Sequence, residues 1–100
     1  MPWTWLGRWW RRRRKPRLGH WQVVLYTRPG CHLCEQARAQ LDQARRHYGF
    51  ALNQVDVDTD PELASRYGLC VPVVTVNGRV RFRGRVNPVL LRRLLRAGDG

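Results

Sequence analysis

The 100-residue sequence has few of the features that mark secreted or membrane proteins. It contains three cysteines, one lysine and seven acidic residues. An odd and small number of cysteines argues against a secreted domain that disulfides hold together. The N-terminus has no apolar stretch of the length that a signal peptide or a membrane span requires, because Gly7, Arg8 and the run 11–15 interrupt it. We therefore expect a cytoplasmic protein in a reducing compartment.

Positive charge is abundant and unevenly distributed. The formal net charge is +12, and residues 1–20 hold seven basic residues and no acidic one. Because arginine outnumbers lysine eighteen to one, we attribute the arginine content to the base composition of the genome rather than to function. The length suits one compact domain, which we place at 21–100, with a separate tail at 1–20.

The tail combines five basic residues in a row with four of the five tryptophans of the chain. It shows no helical or strand periodicity, so we expect it to be disordered and removal of residues 1–18 to leave the thermal midpoint nearly unchanged. Tryptophan and basic clusters suit an anionic membrane surface. Arginine and tryptophan also suit single-stranded nucleic acid. An extension without function is the third interpretation.

Apolar periodicity and turn signals predict seven elements after the tail. Residues 33, 37, 41, 44 and 48 share one helix face, and Gly49 ends that helix. Asp-Pro at 60–61 and Asn-Pro at 87–88 predict helix N-caps, and Asn-Gly at 77–78 predicts a type I′ hairpin turn. The predicted order is βαβαββα, with strands at 23–26, 51–57, 71–76 and 79–83, and helices at about 31–47, 61–67 and 88–95.

Cys31 and Cys34 are separated by two residues where a strand ends and a helix begins. The free N–H groups and the positive end of the helix dipole stabilise a thiolate there, and the thiolate is the nucleophilic form. Half of a zinc site and two incidental thiols are the alternatives. A zinc site needs about four ligands, and only Cys70 and scattered histidines remain, so we predict a redox-active pair and no metal.

The segment 25–34, Leu-Tyr-Thr-Arg-Pro-Gly-Cys-His-Leu-Cys, and the later Val71-Pro72-Val73 resemble the glutaredoxin-like family over about residues 22–97. Electron-donor redoxins of ribonucleotide reductase look similar over the same span. The resemblance implies an α/β fold of the thioredoxin type, with a four-stranded mixed sheet of order 4-3-1-2 flanked by helices. It also implies that Cys31 is the attacking thiol.

The resemblance implies further site residues. Pro72 is expected to be cis and to face the cysteine pair, and the backbone of Val71 is expected to pair with an extended substrate. Arg28 matches the basic residue that holds a glutathione carboxylate, whereas Arg85 and Asn87 depart from the Gly and Asp that usually complete that site. Arg28 as an ordinary solvated turn residue is the alternative, and glutathione is a candidate reductant with no cofactor bound.

Two side chains near the pair are candidate modulators. His32 either stabilises a thiolate or points to water, and Cys70 is either a small packed residue or a third redox partner. Arg79, Arg81, Arg83 and Arg85 alternate along the last strand. There they either deter unwanted strand pairing at a sheet edge or dock an acidic partner.

The functional hypothesis is a monomeric dithiol oxidoreductase that reduces protein disulfides or glutathione mixed disulfides through Cys31 and Cys34, with glutathione or a reductase recharging the pair. The alternative is a redox-silent binding module of the same fold, in which the basic tail contacts a membrane or nucleic acid.

Overall fold

The computed structural model describes residues 18–99. The predicted tail therefore lies outside the described residues except for its last three. The described chain forms the predicted βαβαββα order, with a short 3₁₀ turn at Val57–Thr59. The strands are β1 Gln22–Thr27, β2 Ala51–Asp56, β3 Val73–Val76 and β4 Arg79–Arg83, and the helices are α1 His32–Tyr48, α2 Pro61–Tyr67 and α3 Pro88–Asp99.

The four strands form one mixed sheet of order β2-β1-β3-β4, which is the predicted order read from its other edge. β1 runs parallel to β2 and antiparallel to β3, and β4 closes the antiparallel hairpin with β3. The prediction of the fold class is confirmed. β2 and β4 are the two edges, so the cysteine pair after β1 follows a central strand.

Two apolar clusters cover the two faces of the sheet. The larger cluster joins α1 and α3 to one face through Leu25, Leu41, Val74 and Leu95, among others. The smaller one packs Tyr67 of α2 against Val73 on the other face. The alternation of buried residues along β1 aims successive side chains at the two clusters.

The predicted turn and cap signals are present in the backbone. Asn77 and Gly78 both have positive φ, 52° and 85°, as a type I′ turn requires. The side chains of Asp60 and Asn87 accept hydrogen bonds from the first N–H groups of α2 and α3. Gly49 ends α1 in the left-handed conformation with φ 81°.

The structure differs from the sequence prediction at three boundaries. β2 ends at Asp56, because the Asp56 side chain accepts a bond from the N–H of Asp58 and starts the 3₁₀ turn. β3 starts at Val73, because Pro72 has no N–H for the ladder. At the N-terminus, Leu18 is fully buried in the larger cluster.

Leu18 therefore belongs to the domain, although the sequence pattern assigned residues 18–20 to the tail. Its N–H donates to the Tyr48 carbonyl at 2.9 Å, and its side chain is 0% exposed. A single leucine after a run of arginines carries no periodicity, so no sequence pattern predicts this contact. Removal of residues 1–18 was expected to leave the thermal midpoint nearly unchanged. Because that segment includes the buried Leu18, the expectation now applies to residues 1–17 only.

Candidate active site

Cys31 and Cys34 form a disulfide in the structure, with their Cα atoms 5.2 Å apart. Cys34 lies within α1 and is 4% exposed, whereas Cys31 precedes the helix and is partly exposed. The predicted pair is thus brought together, and its two sulfurs differ in access. Of the two residues, Cys31 is therefore the more accessible.

Cys31 is the N-cap residue of the 17-residue helix α1. Its backbone is extended, and its sulfur accepts a hydrogen bond from the N–H of Cys34 at 3.1 Å. The free N–H groups at a helix start and the helix dipole both favour negative charge at this position. The geometry therefore stabilises a thiolate on Cys31 once the disulfide is reduced.

The Val71–Pro72 loop lies at the same end of the sheet as the cysteine pair. β1 and β3 pair in register through Tyr26 and Val73, so the residues just before Val73 lie beside the end of β1. The Val71-Pro72 bond is cis, as the resemblance implied. Among the hydrogen bonds described for residues 18–99, none involves the N–H or C=O of Val71.

Arg28 follows β1, and its side chain binds the 3₁₀ turn after β2 and the loop after α2. Its Nε and Nη2 lie 3.1 and 3.0 Å from Oδ1 of Asp58, and its Nη1 donates to the Gly68 carbonyl at 2.9 Å. The guanidinium also contacts the spot that a Cβ at position 68 would fill. These bonds give Arg28 a structural task that sequence reasoning missed, because nothing in the pattern marked Asp58 or Gly68 as its partners.

Replacing Arg28 with Lys should lower the free energy of unfolding by about 1 kcal/mol, because an ammonium cannot bond Asp58 and the Gly68 carbonyl together. Chemical denaturation measures this change. Arg66→Lys is the matched control, since Arg66 forms an exposed ion pair with Glu62 and lies over the Tyr67 ring, two contacts that a lysine can also make, and we expect almost no effect there. If Arg28 instead acts only by holding glutathione, Arg28→Lys will raise KM for a glutathione mixed disulfide and leave stability unchanged.

A cleft of about 330 Å³ opens beside the pair on the side of β2. Arg38 of α1 lies at its wall, where it contacts the Gln54 side chain and donates to Asp42 at 2.9 Å. The hydrogen bond from Arg38, with a further one from Arg45, lowers the pKa of Asp42 below its ordinary value. At this wall the side chains of Arg38 and Gln54, which both line the cleft, bind one another.

The two candidate modulators occupy different surroundings. The His32 ring is exposed and lies 3.3 Å from the Gln36 side chain, one turn further along α1. Cys70 is a free, partly buried cysteine that packs against the smaller cluster. Within residues 18–99, no group of three His, Cys, Asp or Glu side chains is placed to hold a metal ion. No helix of the described chain is long and apolar enough to cross a membrane.

Comparison with known proteins agrees with this geometry. Residues 22–96 match the family described as Glutaredoxin-like domain (DUF836). A protein named a probable thioredoxin from Methanothermobacter thermautotrophicus is 35% identical over 65 residues, which are 62% of this chain and 76% of that one.

Solved structures are similar over most of the domain. A structural genomics target from X. campestris has 39% identity and a TM-score of 0.63, covering 75% of this chain and 96% of its own. A mutant thioredoxin from Halobacterium salinarum, at 19% identity, has a TM-score of 0.63 and covers 85% of this chain and 79% of its own. The second likeness supports the fold alone.

The fold and the site together define a thioredoxin-fold protein with a Cys-x-x-Cys pair at the start of its first helix. Such a pair at disulfide distance supports a thiol–disulfide oxidoreductase. The chain belongs to the glutaredoxin-like domain family.

Proposed function

We propose that this protein reduces disulfides in other proteins, with Cys31 as the attacking thiol and Cys34 as the resolving thiol. The observation that carries the proposal is the difference between the two sulfurs. Cys31 is partly exposed at the helix N-cap, whereas Cys34 is 4% exposed behind it. Attack from outside therefore falls to Cys31, and only an intramolecular partner can use Cys34.

The reaction balances as a two-electron exchange. The Cys31 thiolate attacks one sulfur of the substrate disulfide and forms a mixed disulfide, while the other substrate sulfur leaves as a thiolate and takes a proton. The Cys34 thiol, after losing its proton, attacks the Cys31 sulfur and expels the second substrate thiol. The substrate gains two electrons and two protons, and the Cys31–Cys34 disulfide remains.

The loop beside the pair supports a polypeptide substrate. The N–H and C=O of Val71 have no described partner within residues 18–99, so an extended chain can add to the loop by backbone hydrogen bonds. Leu69, two residues earlier, is 99% exposed. A polypeptide bound along this open backbone edge can also contact the exposed leucine, whereas a small disulfide lacks that apolar contact.

Leu69→Ser should therefore slow reduction of a protein disulfide more than reduction of a small aromatic disulfide. The ratio of the two rates should fall by about threefold to tenfold, because a fully buried leucine contributes about 1.5–3 kcal/mol and a partial contact contributes less. The ratio of the two kcat/KM values is the measurement. Leu90→Ser on α3, which is half exposed, is the control. An unchanged ratio in Leu69→Ser would remove this residue from the substrate surface.

The oxidised pair needs two electrons for each turnover. Glutathione supplies them as two thiols that become one glutathione disulfide, and a reductase supplies them from its own dithiol. The engagement of Arg28 with Asp58 and Gly68 leaves it less free to hold a carboxylate of glutathione. A reductase or another protein dithiol is therefore the donor that we favour.

The second candidate function is a binding module whose thiols are silent, with the basic, tryptophan-rich segment of the sequence contacting a membrane or nucleic acid. Catalytic turnover separates the two. The full chain at low concentration should accelerate the reduction of a protein disulfide by excess dithiothreitol, and the double variant Cys31→Ser/Cys34→Ser should not. A wild-type rate equal to that of the variant would favour the silent module.

A further inference from the structure

Acidic and basic side chains occupy opposite parts of the domain. Six of the seven acidic residues lie between positions 35 and 62, whereas positions 63–98 contain eight arginines and no acidic residue. The first segment includes β2, and the second includes β3, β4 and α3 except for its last residue, Asp99. Because β2 and β4 are the two edges of the sheet, the charge changes sign from one edge to the other, and the cysteine pair lies between them.

Four arginines, which we call the β4 arginines, follow this second edge: Arg79, Arg81, Arg83 and Arg85. All four are exposed. The ion pairs described for residues 18–98 join Arg28, Arg38, Arg45 and Arg66 to carboxylates. None of these pairs includes a β4 arginine, so the positive charge at this edge is not neutralised by the part of the chain that the structure describes.

One end of this row lies beside the Val71–Pro72 loop. The N–H of Gly84 donates to the carbonyls of Cys70 and Pro72, each at 2.8 Å. Arg83 and Arg85 therefore stand on either side of a residue that is bonded directly to the loop. Arg79 pairs with Val76, next to the hairpin turn and at the opposite end of the sheet from the cysteine pair.

Protection of the sheet edge explains only part of this row. Charges on an edge strand discourage pairing with another strand, which suits Arg79 to Arg83 within β4. Arg85 lies beyond the end of β4 at Arg83, where there is no ladder to protect. Protection of the edge therefore does not account for Arg85.

We propose that Arg83 and Arg85 select protein disulfides that carry carboxylates next to the cystine, and that they hold the acidic flank toward the β4 edge. This inference rests on the proposed function and names its substrate class. Complementary charge at an exposed surface raises the rate of productive encounter and fixes orientation. The electrons come from the reduced Cys31/Cys34 dithiol, as in the exchange described above.

Three symmetrical peptide disulfides test the selection. Each is a short peptide dimer joined through one cysteine, and the cysteine is flanked by Glu, Gln or Lys. The full-length protein, reduced beforehand and freed of reductant, is mixed with each peptide, samples are quenched with acid, and the initial rate at which the free peptide monomer appears is measured by chromatography. The double variant Arg83→Gln/Arg85→Gln is compared with Arg79→Gln/Arg81→Gln, which removes the same amount of charge from the other end of the β4 arginines.

We expect the wild-type protein to reduce the Glu peptide about fivefold to tenfold faster than the Gln peptide, since two exposed charge pairs each contribute a small favourable free energy. Arg83→Gln/Arg85→Gln should bring this ratio close to one, and Arg79→Gln/Arg81→Gln should leave it near the wild-type value. High salt should also lower the ratio.

Equal loss of the ratio in both double variants would show that net charge alone sets the rate and would overturn the proposal. A wild-type ratio near one would overturn it as well, while reduction of the Gln peptide would still support the oxidoreductase. If the protein reduces none of the three peptides, the proposed function itself fails. Thermal midpoints of the two double variants verify that both are folded.

Discussion

Changing Cys31 to Ser should reduce the rate of protein-disulfide reduction to that of the uncatalysed reaction. Changing Cys34 to Ser should still permit attack by Cys31 but block release of the substrate. The reason is positional, because only the Cys31 sulfur combines partial exposure with the N–H of the helix start. The Cys34 variant should accumulate a mixed disulfide with its target, visible on a non-reducing gel and lost on adding dithiothreitol.

The trapping experiment needs Cys70→Ala as its background. Cys70 is a free cysteine that precedes the Val71–Pro72 loop, and a third thiol that reached the adduct could resolve it in place of Cys34. Comparing the trap with and without Cys70 also decides between the two interpretations of this residue, a packed side chain or a third redox partner. If the Cys31 variant traps substrate and the Cys34 variant does not, the roles of the two thiols are the reverse of those assigned here.

Replacing Leu18 with Ala should lower the free energy of unfolding by about 3 kcal/mol, within the range of about 2–5 kcal/mol for buried leucines. Leu18 is 0% exposed within the larger cluster, so the substitution opens a cavity where the chain enters the domain. For a domain of this size the midpoint of thermal unfolding should fall by more than about 10 °C. Urea denaturation and a thermal scan measure both quantities.

Leu69→Ala is the control for this experiment, because Leu69 is the same residue type at 99% exposure. Its stability should change by less than about 0.5 kcal/mol. Deleting residues 1–17 separates the contribution of Leu18 to stability from that of the segment before it. We expect that deletion to leave the midpoint of thermal unfolding nearly unchanged. An unaltered midpoint in Leu18→Ala would mean that this contact contributes nothing to the fold.

Local signals made most of the fold predictable from the sequence. Asn77-Gly78 fixed the hairpin, because few other residue pairs adopt two positive φ angles without strain. Asp60-Pro61 and Asn87-Pro88 marked helix starts through side-chain acceptors and a fixed proline φ. The strand-to-helix position of Cys31 pointed to the helix N-cap, where the structure places its sulfur.

Features that depend on distant partners were not predictable in this way. Arg28 bonds Asp58 and Gly68, thirty and forty residues away, and neither partner lies in a motif with it. Leu18 is buried by helices and strands that the chain forms later. The difference in exposure between Cys31 and Cys34, by contrast, follows from their positions before and one turn into the helix, and the structure shows Cys34 at 4% exposure.

The central claim is that Cys31 and Cys34 carry two electrons to a protein disulfide. The most direct measurement mixes the reduced full-length protein with a stoichiometric amount of a disulfide-containing protein, blocks all thiols with an alkylating agent, and maps the peptides by mass spectrometry. We predict a Cys31–Cys34 disulfide, an alkylated Cys70 and two new alkylated thiols on the substrate. A substrate that keeps its disulfide while Cys31 and Cys34 are both alkylated would contradict the account.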